Sequence, residues 1–222
     1  MLDELRSVSP KKESRASVVY VVDDDEAMRR SLGGLLESAG LRVETFASSQ
    51  EFLAFPKRDV PSCLILDVRL RGESGLTFQH DAAKMGVRMP ILFMTGYGDM
   101  QMSVKAMKAG AVDFFPKPFH DQDMLDAVAD ALARDGERLA TEHAATELRA
   151  TYDLLTLRER QVMAFVVTGL MNKQIAAEMN LSEITVKVHR AQAMKKMNTR
   201  TLADLVRKAE ALGIKPQRRS QT

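Results

Sequence analysis

Ser17-Val-Val-Tyr-Val-Val22 runs directly into Asp23-Asp24-Asp25, and Cys63-Leu-Ile-Leu66 runs into Asp67. Short apolar runs of this kind, bounded by turn residues and without a polar alternate, read as strands covered on both faces. Two more follow: Ile91-Leu-Phe-Met94 ends at Thr95, and Ala111-Val-Asp-Phe-Phe115 ends near Lys117-Pro118. Working outward, the pattern predicts strands near 17–22, 42–47, 62–67, 90–95 and 112–117 and helices near 25–39, 49–55, 75–85, 100–109 and 121–134. Regular alternation calls for a parallel sheet with helices on both faces. A strand order of 2-1-3-4-5 would set the ends of strands one and three side by side at the carboxyl edge, where open α/β sheets place their ligands. Ser48 with Glu51 reads as a capping box, and Gly40, Gly86 and Gly110 follow helical stretches where a left-handed residue is wanted.

A single aspartate after a strand is ordinarily a helix cap or turn residue, and Asp25 suits the cap of the first helix. Here an acid pair, one acid, a threonine and a lysine-proline pair close four different strands. Converging carboxylates raise one another's pKa unless a cation relieves them. Mg²⁺ is a hard cation that takes oxygen ligands, and an ionised Asp67 can then accept a phosphoryl group. The metal and the Lys117 ammonium would stabilise charge on the equatorial oxygens.

A chain of 222 residues that is 45% hydrophobic suits one large or two modest domains at roughly 100–200 residues each. Its one cysteine, Cys63, rules out an internal disulfide and sits in an apolar run as a small buried thiol. No basic-then-apolar leader is seen, and no apolar run approaches the roughly 18 residues of a membrane span. A cytoplasmic location is expected. The net charge of +2 hides an asymmetry: residues 1–154 carry 19 Lys and Arg against 25 Asp and Glu, whereas residues 155–222 carry 13 against 5. A net of +8 on a small unit suits a polyanionic partner such as DNA.

Val22-Asp23-Asp24-Asp25, Leu66-Asp67-Val-Arg-Leu70, Met94-Thr95-Gly96 and Phe114-Phe-Pro-Lys117-Pro118-Phe119 together resemble the receiver domain of two-component response regulators. The resemblance covers about residues 17–134 and implies a flavodoxin-like (βα)₅ fold. It implies Asp67 as phosphoacceptor, Asp24 as direct Mg²⁺ ligand, Asp23 as a second acid near the metal, and the Arg69 carbonyl as a further ligand. Thr95 and Lys117 would contact phosphoryl oxygens, Phe114 would be the switch aromatic that turns with Thr95, and the Lys117-Pro118 peptide would be cis. Many relatives carry proline after the phosphoacceptor. Here Arg69-Leu-Arg-Gly-Glu-Ser-Gly75 stands instead, so a looser loop is expected.

Between residues 119 and 154, Leu125, Leu132 and Leu139 recur at seven-residue spacing with Val128 between them. Two readings are open: one long helix, or a receiver helix ending at Asp135-Gly136 followed by a tether over 135–150. Beyond it, Thr156-Leu-Arg-Glu159 is a capping box, Asn172 can cap a helix to Met179, Asn180-Leu181 makes a tight turn, and Ser182 can cap a third helix to about Met197. That order fits a helix-turn-helix. The third helix should bury Val186, Ala193, Met194 and Met197, and turn Glu183, Lys187, Val188, Ala191, Lys195 and Lys196 outward. A last helix starting at Thr201 places Leu202, Leu205, Val206 and Ala209 on one side.

Leu155-Thr-Leu-Arg-Glu-Arg160, Gly169-Leu-Met-Asn-Lys-Gln-Ile-Ala176 and Ile184-Thr-Val-Lys-Val-His-Arg190 resemble the LuxR-type DNA-binding domain of NarL/FixJ regulators, over about 151–213. By that resemblance the chain is FixJ-like, an α/β receiver joined to a small all-α helix-turn-helix domain. Lys187 and Val188 would meet base edges, while Lys173, Thr185, Arg190 and Lys195 would hold phosphates. The expected partners are a sensor histidine kinase, double-stranded promoter DNA and a second copy of the chain upon phosphorylation; RNA polymerase is a further partner the resemblance allows. Residues 1–16 and 214–222 are expected to be flexible tails. Two other classes stay open: a phosphotransfer enzyme built on an aspartyl phosphate, for which no substrate cap is evident, and a DNA-binding scaffold whose first domain is never phosphorylated.

Overall fold

The computed structural model describes residues 17–70, 73–82, 84–96, 104, 106–108 and 110–214. Five parallel strands, β1 (Val18–Val22), β2 (Arg42–Phe46), β3 (Ser62–Asp67), β4 (Ile91–Thr95) and β5 (Asp113–Pro116), form one sheet in the order β2-β1-β3-β4-β5. Helices α1 (Glu26–Ser38), α2 (Ser49–Ala54) and α3 (Gly75–Ala82) connect them. The expected helix at 100–109 falls mostly outside the described residues, but 104 and 106–108 are helical.

Alternation along each strand divides the core in two. Val18, Tyr20, Val22, Leu64, Leu66 and Phe93 join Phe52 and Phe78 on one face. Val19, Val21, Cys63, Ile65, Leu92 and Met94 join Leu32, Leu36, Met124 and Val128 on the other. Because both faces are covered, β1 and β3 carry no polar alternate, which is why they read as unbroken apolar runs. Burial and the nearby Asp135 carboxylate push the Cys63 thiol far above its ordinary range, so it stays a neutral core group.

The connector is one helix, α4 (Asp121–Asp153). It runs through Gly136, where an interior glycine costs about 1 kcal/mol relative to alanine. The stripe Met124, Val128, Ala131 and Asp135 is buried, and Leu125 and Leu132 pack against the second core cluster. Two of the three heptad leucines are thus used within the sheet unit. Asp135 accepts a hydrogen bond from the Ser62 amide at 2.9 Å and one from Arg138 Nε at 2.8 Å. The polar residue that suggested a helix end therefore holds the helix against the start of β3.

Four shorter helices follow: α5 (Leu157–Val166), α6 (Asn172–Met179), α7 (Glu183–Lys196) and α8 (Leu202–Ala211). Val162, Met163, Phe165, Val166, Ile175, Val186, Ala193, Met197, Leu205 and Ala209 form their core. Ile214 also packs there, so ordered chain extends at least one residue into the expected tail. Thr156, Ser182 and Thr201 cap as the sequence predicts. Two caps differ. Glu51 returns its carboxylate to the Ala47 amide rather than that of Ser48, and α6 is preceded by Met171, whose amide donates to Gln174 Oε1 at 2.9 Å. Asn172 lies inside the first turn of α6, leaving its carboxamide free of the capping role. Among the described residues no helix is long and apolar enough to cross a membrane.

Candidate functional site

β1 and β3 are neighbours in register, Val22 beside Leu66, so the residues following them meet at one edge. Lys117 Nζ, arriving after β5, donates to Asp23 Oδ2 and to Asp67 Oδ2, each at 2.6 Å. The other carboxylate oxygens accept backbone amides: Asp23 Oδ1 from Asp25 at 2.8 Å, and Asp67 Oδ1 from Arg69 at 2.7 Å. Asp25 itself caps α1, accepting from the amides of Ala27 and Met28. Asp23 is 1% exposed and Asp67 7%.

Two buried carboxylates face one ammonium, which leaves a negative charge in excess. Burial pushes the Asp23 carboxyl up; hydrogen bonds from Lys117 and the Asp25 amide pull against it, and the Asp67 charge adds to the rise. Burial works against the Lys117 charge, yet its bonds to Asp23 and Asp67 prevail and hold the ammonium above the ordinary lysine range. Among the described residues no cluster of three acidic, histidine or cysteine side chains is close enough to hold a metal ion. Mg²⁺ retains several waters and needs only one or two protein carboxylates. A converging, under-compensated oxygen pair, with half-buried Asp24 in the same loop, fits that requirement.

Thr95 is fully buried at the end of β4, and its carbonyl accepts the Lys117 amide at 2.7 Å. That bond ties the hydroxyl-bearing and ammonium-bearing strand ends together. The Lys117-Pro118 peptide is cis, as the resemblance implied. Phe114 is half-buried, paired with Phe93 across β4 and β5, and packs on the first core cluster. The loop after Asp67, which lacks proline, lies partly outside the described residues, and its described ends pair. Arg69–Leu70 pairs antiparallel with Glu73–Ser74, and the Gly75 amide donates to the Val68 carbonyl at 2.9 Å.

Two supports of this edge, and one of the opposite end of β3, escaped the sequence reading. Arg29 Nη1 donates to the Asp23 carbonyl at 2.6 Å, a reach detectable only as a basic residue one turn beyond a capping aspartate. A Cβ on Gly75 would stand 2.5 Å from the Asp67 carbonyl oxygen, so only glycine lets α3 begin this close to the end of β3. Asp135 holds the opposite end of β3, and its signal was a carboxylate on an otherwise apolar helix stripe.

In the helical unit, Asn180 in the left-handed region (φ 52°) ends α6 and starts the turn into α7. Lys173, Lys187, Val188 and Lys195 are exposed. Arg190 Nη1 donates to Asn172 Oδ1 at 3.1 Å, which pins that guanidinium between α6 and α7. Thr185 is half-buried, with its hydroxyl 2.8 Å from that of Ser182. Lys196 is a correction: instead of facing outward it bonds Glu159 Oε2 at 2.7 Å and the Leu154 carbonyl at 3.2 Å. Burial alone would raise the Glu159 carboxyl, but Lys196 and the Thr156 cap hold it below its ordinary range.

Residues 19–129 match the model of the response regulator receiver domain, and residues 153–209 match that of the luxR family of bacterial regulatory proteins. Nodulation protein W of Bradyrhizobium diazoefficiens is 51% identical over 209 residues, 94% of this chain and 92% of that one. The transcriptional regulatory protein FixJ of Rhizobium meliloti is 40% identical over 202 residues, 89% of this chain and 97% of that one. The solved structure of the response regulator StyR superposes with a TM-score of 0.81 at 44% identity, covering 88% of this chain and 98% of that chain.

Proposed function

As the chain belongs to the FixJ/NarL-type two-component response regulators, we propose that Asp67 accepts the phosphoryl group and that Asp23, Asp24, Lys117, Thr95 and Phe114 serve it. The protein is a phosphorylation-activated response regulator that acts on transcription by binding DNA. Its working parts are a receiver over 17–134, a helical connector over 135–150 and a DNA-binding unit over 151–213. The cytoplasm is its proposed location, supported by a lone neutral thiol at Cys63.

The observation that carries this reading is the Lys117 ammonium held between Asp23 and Asp67. An Asp67 Oδ atom attacks phosphorus, the P–O bond forms, and the bond to the donor's nitrogen or oxygen breaks, with the electron pair leaving on the donor. Lys117 then follows charge from the carboxylate to the phosphoryl oxygens. Asp23, Asp24, Asp67 and the Arg69 carbonyl would hold Mg²⁺. When bound, that ion neutralises charge on the phosphoryl oxygens as they are transferred. Thr95, at the end of β4, would receive a phosphoryl oxygen, and Phe114, paired with Phe93 of β4, would report the change. In the DNA-binding unit, Lys187 and Val188 meet base edges, and Lys173, Thr185, Arg190 and Lys195 meet phosphates.

Incubation of the full chain with Mg²⁺ and acetyl phosphate, followed by intact-mass measurement, tests the assignment. Wild type should gain one phosphoryl group and Asp67→Asn none. Equal modification of both would remove Asp67 from its role.

A further inference from the structure

Ile184 and Val188 are 76% and 54% exposed on α7, and we infer that they form an apolar strip that reads two thymine methyl groups in the major groove. This rests on the DNA-binding reading and adds Ile184 to it as a specificity-determining residue. The orientation of α7 is settled by its other face: Val186, Ala193 and Met197 are buried in the core. Residues four apart share a helix face, so Ile184 and Val188 lie along one outward line with exposed Lys187 flanking it. Neither core packing nor helix propensity asks for these β-branched residues there.

Position and charge select the occupant. Ile184 stands in the first turn of α7, two residues after the Ser182 cap, and the first turn of a recognition helix is the part that reaches base edges. The thymine methyl is the one apolar feature that the major groove displays. Exposed Lys173, Lys187 and Lys195 in a unit of net charge +8 favour a polyanion over an apolar protein surface. Four residues of helix span about 6 Å, and base pairs follow one another at about 3.4 Å. The strip therefore spans about two base steps, and the half-site should carry two methyl-sensitive thymines that far apart, on either strand.

The test uses the full chain with Mg²⁺ and acetyl phosphate and duplexes selected by it from a random pool. In a selected duplex each thymine is replaced in turn by deoxyuridine, which lacks only the methyl group. Wild type should lose about three- to five-fold in affinity at each of two thymines about two steps apart, the loss appropriate to one methyl-sized apolar contact. Ile184→Ala should bind more weakly by a similar factor and become indifferent to deoxyuridine at one of these positions only. Val188→Ala should become indifferent at the other. Unfolding midpoints equal to wild type establish that both surface variants fold, and Ile184→Ser repeats the measurement. An unchanged deoxyuridine profile in Ile184→Ala overturns the inference, including the case where the variant alters self-association, which would assign the strip to a second copy. If wild type retains no duplex in a salt-dependent manner, the DNA-binding reading itself fails.

Discussion

Two part-buried lysine–carboxylate contacts, one in each unit, look alike and differ in balance. Lys117 serves two aspartates at the sheet edge, whereas Lys196 serves the single carboxylate of Glu159. At the edge burial, with a smaller push from the Asp67 charge, leaves the Asp23 carboxyl raised despite its bond to Lys117. In the helical unit the balanced pair, backed by the Thr156 capping box, leaves Glu159 lowered. Two carboxylates share one ammonium at the edge, which is the arrangement the proposed Mg²⁺ and phosphoryl chemistry calls for; the one-to-one pair fastens α5 to α7.

The largest effect should come from breaking the unbalanced site. Lys117→Met leaves two carboxylates facing each other and should destabilise the metal-free protein by about 3 kcal/mol, near the lower end for removing one partner of a buried pair. Millimolar Mg²⁺ should restore much of that loss in urea titrations, and a loss indifferent to Mg²⁺ would erase the contrast. Glu159→Gln should cost less, about 1–3 kcal/mol, because it weakens a cap and leaves Lys196 without its counter-charge. Mg²⁺ should not change that cost.

The smallest effect is in the pH profile, where the two sites should have opposite signs. Glu159 has a folded pKa below its ordinary 4.5, so its contribution is present above that value and is lost as pH falls through the folded pKa. Asp23 has a folded pKa above its ordinary 3.8, so its contribution is full below 3.8 and is lost as pH rises through the folded pKa. Urea titrations on either side of this window should show Glu159→Gln abolishing an acid loss and Asp23→Asn abolishing an acid gain. Profiles that move in the same direction would mean the sites are not the opposites described.

Much of the edge was legible because it depends on short-range pattern. Buried strands advertise themselves through unbroken apolar runs such as Cys63–Leu66, and the caps at Asp25, Ser182 and Thr201 depend on residues two or three positions away. Readings failed where a side chain chose a distant partner. Lys196 turned inward to Glu159, 37 residues away, and Asn172 gave its carboxamide to Arg190, 18 residues away. Gly136 suggested a break, but the local propensity cost is small beside a buried stripe and the Asp135 bond to Ser62 across 73 residues.

The sequence by itself determined the alternating architecture, the acids, hydroxyl and lysine at the strand ends, and the basic helix-turn-helix, since each follows from periodicity or from a local cap. Only tertiary structure decided that one ammonium spans Asp23 and Asp67, that Gly75 must lack a side chain beside the Asp67 carbonyl, that the connector is one helix, and that Ile184 faces out. Those outcomes depend on which surfaces meet after folding, and a linear pattern does not state the distance between residues 50, 73 or 94 positions apart.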